Sequence, residues 1–255
     1  MVSLVFVAML GRPVQKELIS EKDPATAINV IFIGDSITEG SNLPQSPPVA
    51  AAGFLLKKPG INRLNFSNQG HSGFTTVNFL PSQGDTFKEA ELAADSLQKL
   101  NEGVLVFSIM LGTNDSAMDG PLGSPVSPEQ YRQNLLAICD RLIHDYPRCK
   151  IVIHRATWYS PNTYNGSRYL ADGLARLQLY FSEIDKVIAS YRQTHPRQVF
   201  RGDQQAFHFF KKNYRACFVA ETGKEGTFFL HPNAEGAKIL GRFWADAIYK
   251  ATRKF

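Results

Sequence analysis

The sequence predicts an α/β fold in which a parallel sheet carries helices on both faces. Three observations point to it. Five short apolar runs, at 28–33, 61–66, 104–110, 151–154 and 198–200, recur between segments of helical periodicity. The first, third and fourth are rich in Val, Ile and Phe without clean alternation, as expected for strands covered on both sides. No internal repeat, low-complexity tract or long linker divides the chain. With 255 residues, 44% of them apolar and 20% charged, the chain can bury one large core. Residues 25–255 therefore read as a single domain.

Taken in order, the chain opens with an apolar stretch at 2–10, far short of the roughly 20 residues that cross a bilayer. It has the length of a signal-peptide core but no Lys or Arg before it, and Gly11-Arg12-Pro13 is no small-residue cleavage site. Residues 1–24 thus read as an arm packed on a cytoplasmic domain, or as the remnant of a signal peptide on a secreted or periplasmic one. Stretches 41–48 and 119–128, rich in Pro and Gly, and the polar aromatic segment 158–169 read as loops. Ser127, with Pro128 at the first helical position and Gln130 at the third, opens a helix through 146. Its stripe is Tyr131, Leu135, Ile138 and Leu142. Steps of four and three continue from Leu170 through Leu174, Leu177, Phe181, Ile184 and Ile188 to Tyr191, giving a long amphipathic helix. Asn233 caps a last helix that buries Leu240, Phe243, Ala247 and Ile248.

Composition excludes several function classes. Twenty-eight Lys and Arg against 23 Asp and Glu leave a charge of +5, scattered in pairs such as Lys57-Lys58, so no basic tract offers a nucleic-acid footprint. Cys139, Cys149 and Cys217 form no CxxC pair, which supports neither a zinc site nor a disulfide scaffold. No P-loop follows any strand. Nothing in the sequence sets an oligomeric state.

The candidate chemistry lies at strand ends. The first strand ends in Gly34-Asp35-Ser36, placing a hydroxyl at the carboxyl edge of a central strand, although an isolated Asp-Ser pair reads first as a helix cap. Asn68-Gln69-Gly70 follows the second strand and Gly112-Thr113-Asn114-Asp115 the third. The Ser36 and Gly70 amides with the Asn114 side chain would supply three donors to an oxyanion. The base expected is His231, held extended before Pro232. His154, closing the fourth strand, reads as a structural or substrate-contacting residue. His71 reads as a substrate contact or a solvated loop residue, and His144, His195 and His208 as helix-surface residues.

In this order, Gly34-Asp35-Ser36, Gly70, Asn114 and His231 resemble the four blocks of the SGNH hydrolases, the GDSL family of esterases and lipases, across most of the chain. The resemblance implies a three-layer α/β/α sandwich on a five-stranded parallel sheet. It also implies ester hydrolysis through an acyl-Ser36 intermediate, with Ser36, His231, Gly70 and Asn114 as catalytic residues and no metal or organic cofactor. One feature departs from the family: the aspartate usually found three residues before the histidine is Phe228 here. A backbone carbonyl or Glu225 is the favoured substitute. Asp203 is a further candidate, and Glu221 reads first as a solvated loop charge.

Trp158, Tyr159, Asn162, Tyr164 and Asn165 offer flat rings beside amides, which suits a sugar, or else Trp158 anchors the loop on the core. Arg155 is expected to meet a substrate carboxylate or a nearby acid. With no long apolar lid, the expected substrate is a short acyl ester, O-acetyl on a carbohydrate, as the resemblance to carbohydrate acetylesterases also implies. The alternatives are a lysophospholipase or thioesterase of the same fold, and a non-catalytic carbohydrate-binding domain.

Overall fold

The computed structural model describes residues 26–253. The arm or leader expected over 1–24 lies outside them. Five parallel strands, β1 (Thr26–Gly34), β2 (Ile61–Gly70), β3 (Val104–Met110), β4 (Lys150–Ile153) and β5 (Val199–Arg201), form one sheet in the order β2-β1-β3-β4-β5. All five runs read from the sequence are strands. β2 extends four residues past the apolar run because Ser67, Asn68 and Gln69 continue the ladder with β1, half-buried at the sheet edge. Polar residues on such a strand leave no apolar signal.

Among the described residues, seven α-helices surround the sheet: α1 (Ser36–Glu39), α2 (Pro47–Leu55), α3 (Asp85–Leu100), α4 (Pro128–Asp145), α5 (Leu170–Thr194), α6 (Ala206–Cys217) and α7 (Ala234–Thr252). α2 and α6 pack on α7 over one face. On the other, α4 packs on α5 and is tied to α3 through the Tyr146 hydroxyl, bonded to the Glu91 carbonyl (3.0 Å) and Asp95 (2.9 Å). The expected three-layer sandwich is therefore the observed one. β1 is buried from both sides: Ile28 and Val30 through Ile33 are all 0% exposed. Phe32 stacks on Trp244 of α7 at 5.9 Å.

The predicted caps form. Ser127 Oγ accepts the Gln130 N–H (3.1 Å) and Asn233 Oδ1 the Gly236 N–H (3.0 Å). One loop expectation is corrected: Pro47-Pro48, taken as loop, occupy the first turn of α2, where a missing N–H costs nothing. α2 lies close on α7 because a β-carbon at Gly241 would come within 2.7 Å of the Pro47 carbonyl oxygen. The three cysteines are buried and unpaired. A small antiparallel hairpin, β6 (Glu221–Gly223) and β7 (Gly226–Phe228), stands apart from the main sheet.

Candidate functional site

The strand order reverses between β1 and β3, the position where open α/β sheets hold ligands beyond their carboxyl ends. Gly34 is in register with both Gly70 and Met110, so the loops carrying Ser36, Gly70 and Asn114 leave the sheet side by side. The turn after β1 is tight. A β-carbon at Gly34 would come 2.9 Å from the Met110 carbonyl oxygen. Asp35 is wholly buried and caps α1, its Oδ1 accepting the Ile37 N–H (2.9 Å). Burial pushes its pKa up to about 6, against the opposing pull of the Ile37 amide, the Thr113 hydroxyl and the charge of His231. Ser36 opens the helix, so its N–H has no intrahelical acceptor.

The imidazole reaches Ser36 from the far end of the chain. Ser36 Oγ lies 3.0 Å from His231 Nε2. Antiparallel contacts hold His231 in place: Val219 N–H donates to the His231 carbonyl (2.9 Å) and Asn233 N–H to the Cys217 carbonyl (2.9 Å). This pairing delivers the strand that follows Val219 to the imidazole. Both carboxylate oxygens of Glu221 lie 3.0 Å from Nδ1, and Oε1 also accepts the His231 N–H at 3.2 Å.

Hydroxyl, imidazole and carboxylate thus form a continuous line, and the expectation for the third group is corrected. Glu225 contributes only its carbonyl, which accepts from Asn162 Nδ2 (3.0 Å). Asp203 caps the start of α6 through the Gln205 and Ala206 amides. The acid is Glu221, and β6 pairs it in register with Phe228 on β7. Cross-strand partners share a face of a hairpin. The carboxylate missing at 228 is supplied from the opposite strand.

Asn114, in the loop after β3, is buried. Its amide nitrogen donates to the Phe74 carbonyl (2.9 Å) and its oxygen accepts the Tyr169 hydroxyl (2.6 Å). One amide hydrogen is thereby left over. Next to it Asp115, also fully buried, receives the N–H and hydroxyl of Thr76, while Thr76 Oγ1 accepts from Asn134 (2.8 Å). Burial pushes the Asp115 pKa up to about 7, with the Thr76 contacts opposing. Gly70 differs from expectation. Its N–H donates to Asn68 Oδ1 at 3.0 Å, and a β-carbon there would come 2.7 Å from the Thr38 carbonyl carbon. Gly70 therefore packs β2 against α1, and Asn68 Nδ2 fastens the same junction by donating to the Thr38 and Glu39 carbonyls (both 3.1 Å). Three residues on, Gly73 is exposed with φ +78° and open space around it, and among the described residues its N–H has no hydrogen-bond partner.

The other sequence candidates take structural places. His154 is fully buried. Its Nδ1 accepts the Asp203 N–H (3.0 Å) and its Nε2 meets Ser108 Oγ (2.9 Å). Burial pushes its pKa down to about 3. His71 stacks on Phe74 at 4.9 Å. Arg155 pairs with Asp185 (3.1 Å) over the Phe181 ring and is not left for a substrate carboxylate. The expected sugar platform is also corrected. Trp158 packs against Tyr214 and Phe218, and Tyr159 is buried with its hydroxyl 2.9 Å from Ser116 Oγ. Asn162 binds the Glu225 and Thr227 carbonyls, Tyr164 lies under Lys224, and the Asn165 oxygen receives the Ser167 N–H. This loop braces the hairpin that carries Glu221.

Among the described residues, no group of three or more His, Cys, Asp or Glu side chains could hold a metal ion, and no helix is long and apolar enough to cross a membrane. Beside Ser36 and His231 lies a cleft of about 250 Å³.

A serine, a histidine and an acid aligned at the carboxyl edge of a parallel sheet define a hydrolase-class α/β protein. The chain belongs to the GDSL-like Lipase/Acylhydrolase family, whose match spans residues 32–239. Solved structures share its fold. LAE5, an alpha/beta hydrolase enzyme from the metagenome of Lake Arreo, is 22% identical, with 90% of this chain and 96% of that one covered at a TM-score of 0.55. Axe2, an acetylxylan esterase from Geobacillus stearothermophilus, is 17% identical, covering 92% and 97% at 0.57. The lipase/acylhydrolase from Enterococcus faecalis is 15% identical, covering 87% and 95% at 0.53. No curated protein matches the chain.

Proposed function

We propose that this protein is a serine esterase that removes short acyl groups, foremost O-acetyl groups on carbohydrate, through an acyl-Ser36 intermediate. The observation that carries the reading is the line from Ser36 Oγ through His231 to Glu221, with each contact at 3.0 Å. In the resting state Glu221 holds the Nδ1–H, which leaves Nε2 free to accept the Ser36 proton as Oγ attacks the ester carbonyl. The alcohol departs with the proton from Nε2. Water then attacks the acyl-serine by the same route and releases the acid.

Charge on the carbonyl oxygen would be met by the Ser36 N–H and the remaining Asn114 amide hydrogen. The third donor we assign to the Gly73 N–H in place of Gly70. The Gly70 N–H is spent on Asn68, whereas that of Gly73 is unpaired one residue from Phe74, whose carbonyl orients the Asn114 amide. The lectin-like alternative drew its force from the missing carboxylate at 228, and Glu221 removes that ground. Acetylated xylan is the kind of ester named for Axe2, which shares this fold. The test is acetate release from a panel of O-acetylated sugars. The wild type is expected to release acetate and Ser36→Ala to release none; equal rates in the two would refute the proposal.

A further inference from the structure

The cleft beside Ser36 is walled by the segment that carries the imidazole and by the loop that follows α1. Ile37, Leu43, Val219, His231 and Pro232 are among its walls, whereas Asn114, Gly70 and Gly73 are not. We infer that this cleft receives the alcohol portion of the ester, and that Leu43 and Val219 determine which alcohols are accepted. The inference rests on the serine-esterase reading and adds the half of the substrate that this reading leaves open.

The path of the proton fixes where the alcohol sits. In acylation a bond forms between Ser36 Oγ and the carbonyl carbon, and the bond from that carbon to the alkoxy oxygen breaks. The proton taken from Ser36 passes from His231 Nε2 to the departing oxygen, so alcohol and acyl-enzyme are the products and no other reactant is needed. That oxygen must come within hydrogen-bond reach of Nε2. The alcohol therefore starts at the imidazole and extends over the walls nearest to it, while the carbonyl oxygen points the opposite way, toward Asn114.

Those walls have a definite chemistry. Val219 is an apolar side chain left 43% exposed, and its N–H bond to the His231 carbonyl fixes it relative to the base. Leu43 is held by its own N–H bond to the Gly40 carbonyl (3.1 Å). Ser41 and Asn42 also line the cleft, and among the described residues their side chains make no hydrogen bond to the protein. Ser72 donates its hydroxyl hydrogen to Glu39, which leaves its oxygen able to accept. Apolar surface beside unpaired hydroxyl and amide groups fits a ring with C–H faces and hydroxyl edges. A volume of about 250 Å³ falls below the roughly 300–1,000 Å³ that encloses a drug-sized ligand. The alcohol that fits is a single pyranose or other cyclic polyol.

The test compares two ester series by kcat/KM, which reports acylation, the step that contains the alcohol. One series keeps acetyl and varies the alcohol: methyl acetate, cyclohexyl acetate and a mono-O-acetylated methyl glucoside. The other keeps methanol and varies the acyl group from acetate to butanoate. The wild type is expected to prefer the ring alcohols over methanol on the order of tenfold or more, the discrimination an apolar contact of this size supplies. Val219→Trp, at an exposed position where folding is not at stake, is expected to erase that preference and leave the acyl ranking as in the wild type. No change in the alcohol series, or a change in the acyl series of equal size, overturns the inference. If Ser36→Ala hydrolyses every ester as fast as the wild type, it is the esterase reading that fails.

Discussion

Replacing Glu221 with glutamine tests the least expected part of the site. The carboxylate meets Nδ1 with both oxygens and the His231 N–H with one. A glutamine in this pose keeps one acceptor, loses the charge and sets an NH₂ against the ring nitrogen. Two effects follow. An ion pair about 4 Å across is worth roughly 4 kcal/mol at an effective dielectric of 20. Glu221 and His231 side chains are 24% and 34% exposed, so screening brings the charge loss to about 2 kcal/mol, between one and two decades of rate at about 1.4 kcal/mol per decade. If the NH₂ drives the proton from Nδ1 to Nε2, the base is blocked, and the corresponding change in serine proteases costs about 10⁴ in turnover. Glu221→Gln should therefore lower kcat for nitrophenyl acetate by about 30-fold to 10⁴-fold, with KM little changed and the circular-dichroism spectrum intact. Glu225→Gln should behave as wild type, because Glu225 reaches the site only through its carbonyl. A Glu221→Gln enzyme within threefold of wild-type kcat would refute the assignment.

Three further perturbations separate chemistry from scaffold. Asn114→Ala should lower kcat by about 10² to 10³, the usual cost of one oxyanion donor, and steady-state kinetics on the same ester reads it. Gly70→Ala forces a β-carbon against the backbone of residues 38 and 39; it should cost about 1–3 kcal/mol as an overpacked site, seen as a fall in Tm. His154 is buried and neutral with its pKa near about 3, below the ~6.5 of an unfolded chain. The unfolded state binds the extra proton between those values, so this group's contribution to stability is present above about pH 6.5 and is lost as pH falls toward 3. His154→Gln should accordingly lose less Tm than the wild type on acidification from pH 6.5 to 4; parallel Tm curves would show that His154 is not the titrating group.

The sheet was legible because its strands are apolar and buried on both faces, a signal that needs no neighbours to be read. The same rule missed the end of β2, where edge residues Ser67 to Gln69 pair through their backbones. Pro47 and Pro48 looked like a loop, since proline marks a helix start as readily as a break. Ser36, Asn114 and His231 could be placed because each follows a strand or precedes a capped helix. The role of Glu221 is hidden in the sequence because ten residues and a hairpin separate it from His231. Reading 221–228 as two strands joined at Lys224-Glu225 would have set it opposite Phe228, in the position of the absent aspartate. The 158–169 aromatics are ambiguous in sequence because a ring that anchors a loop and a ring that binds a sugar have the same composition; only burial separates them. Gly70 and Gly73 differ by one hydrogen bond, which the Gly70 N–H donates to Asn68 Oδ1 and which periodicity cannot express.

Whether Ser36 carries the acyl group is read by rapid quenching of the enzyme during turnover of nitrophenyl acetate, followed by peptide mass mapping. One acetyl group should appear on the peptide containing Ser36 in the wild type, accumulate in Glu221→Gln if release of the acyl group is slowed more than its uptake, and be absent from Ser36→Ala. Continued turnover by Ser36→Ala, or an acetyl group found on any other residue at catalytic rates, would rule out an acyl-Ser36 intermediate.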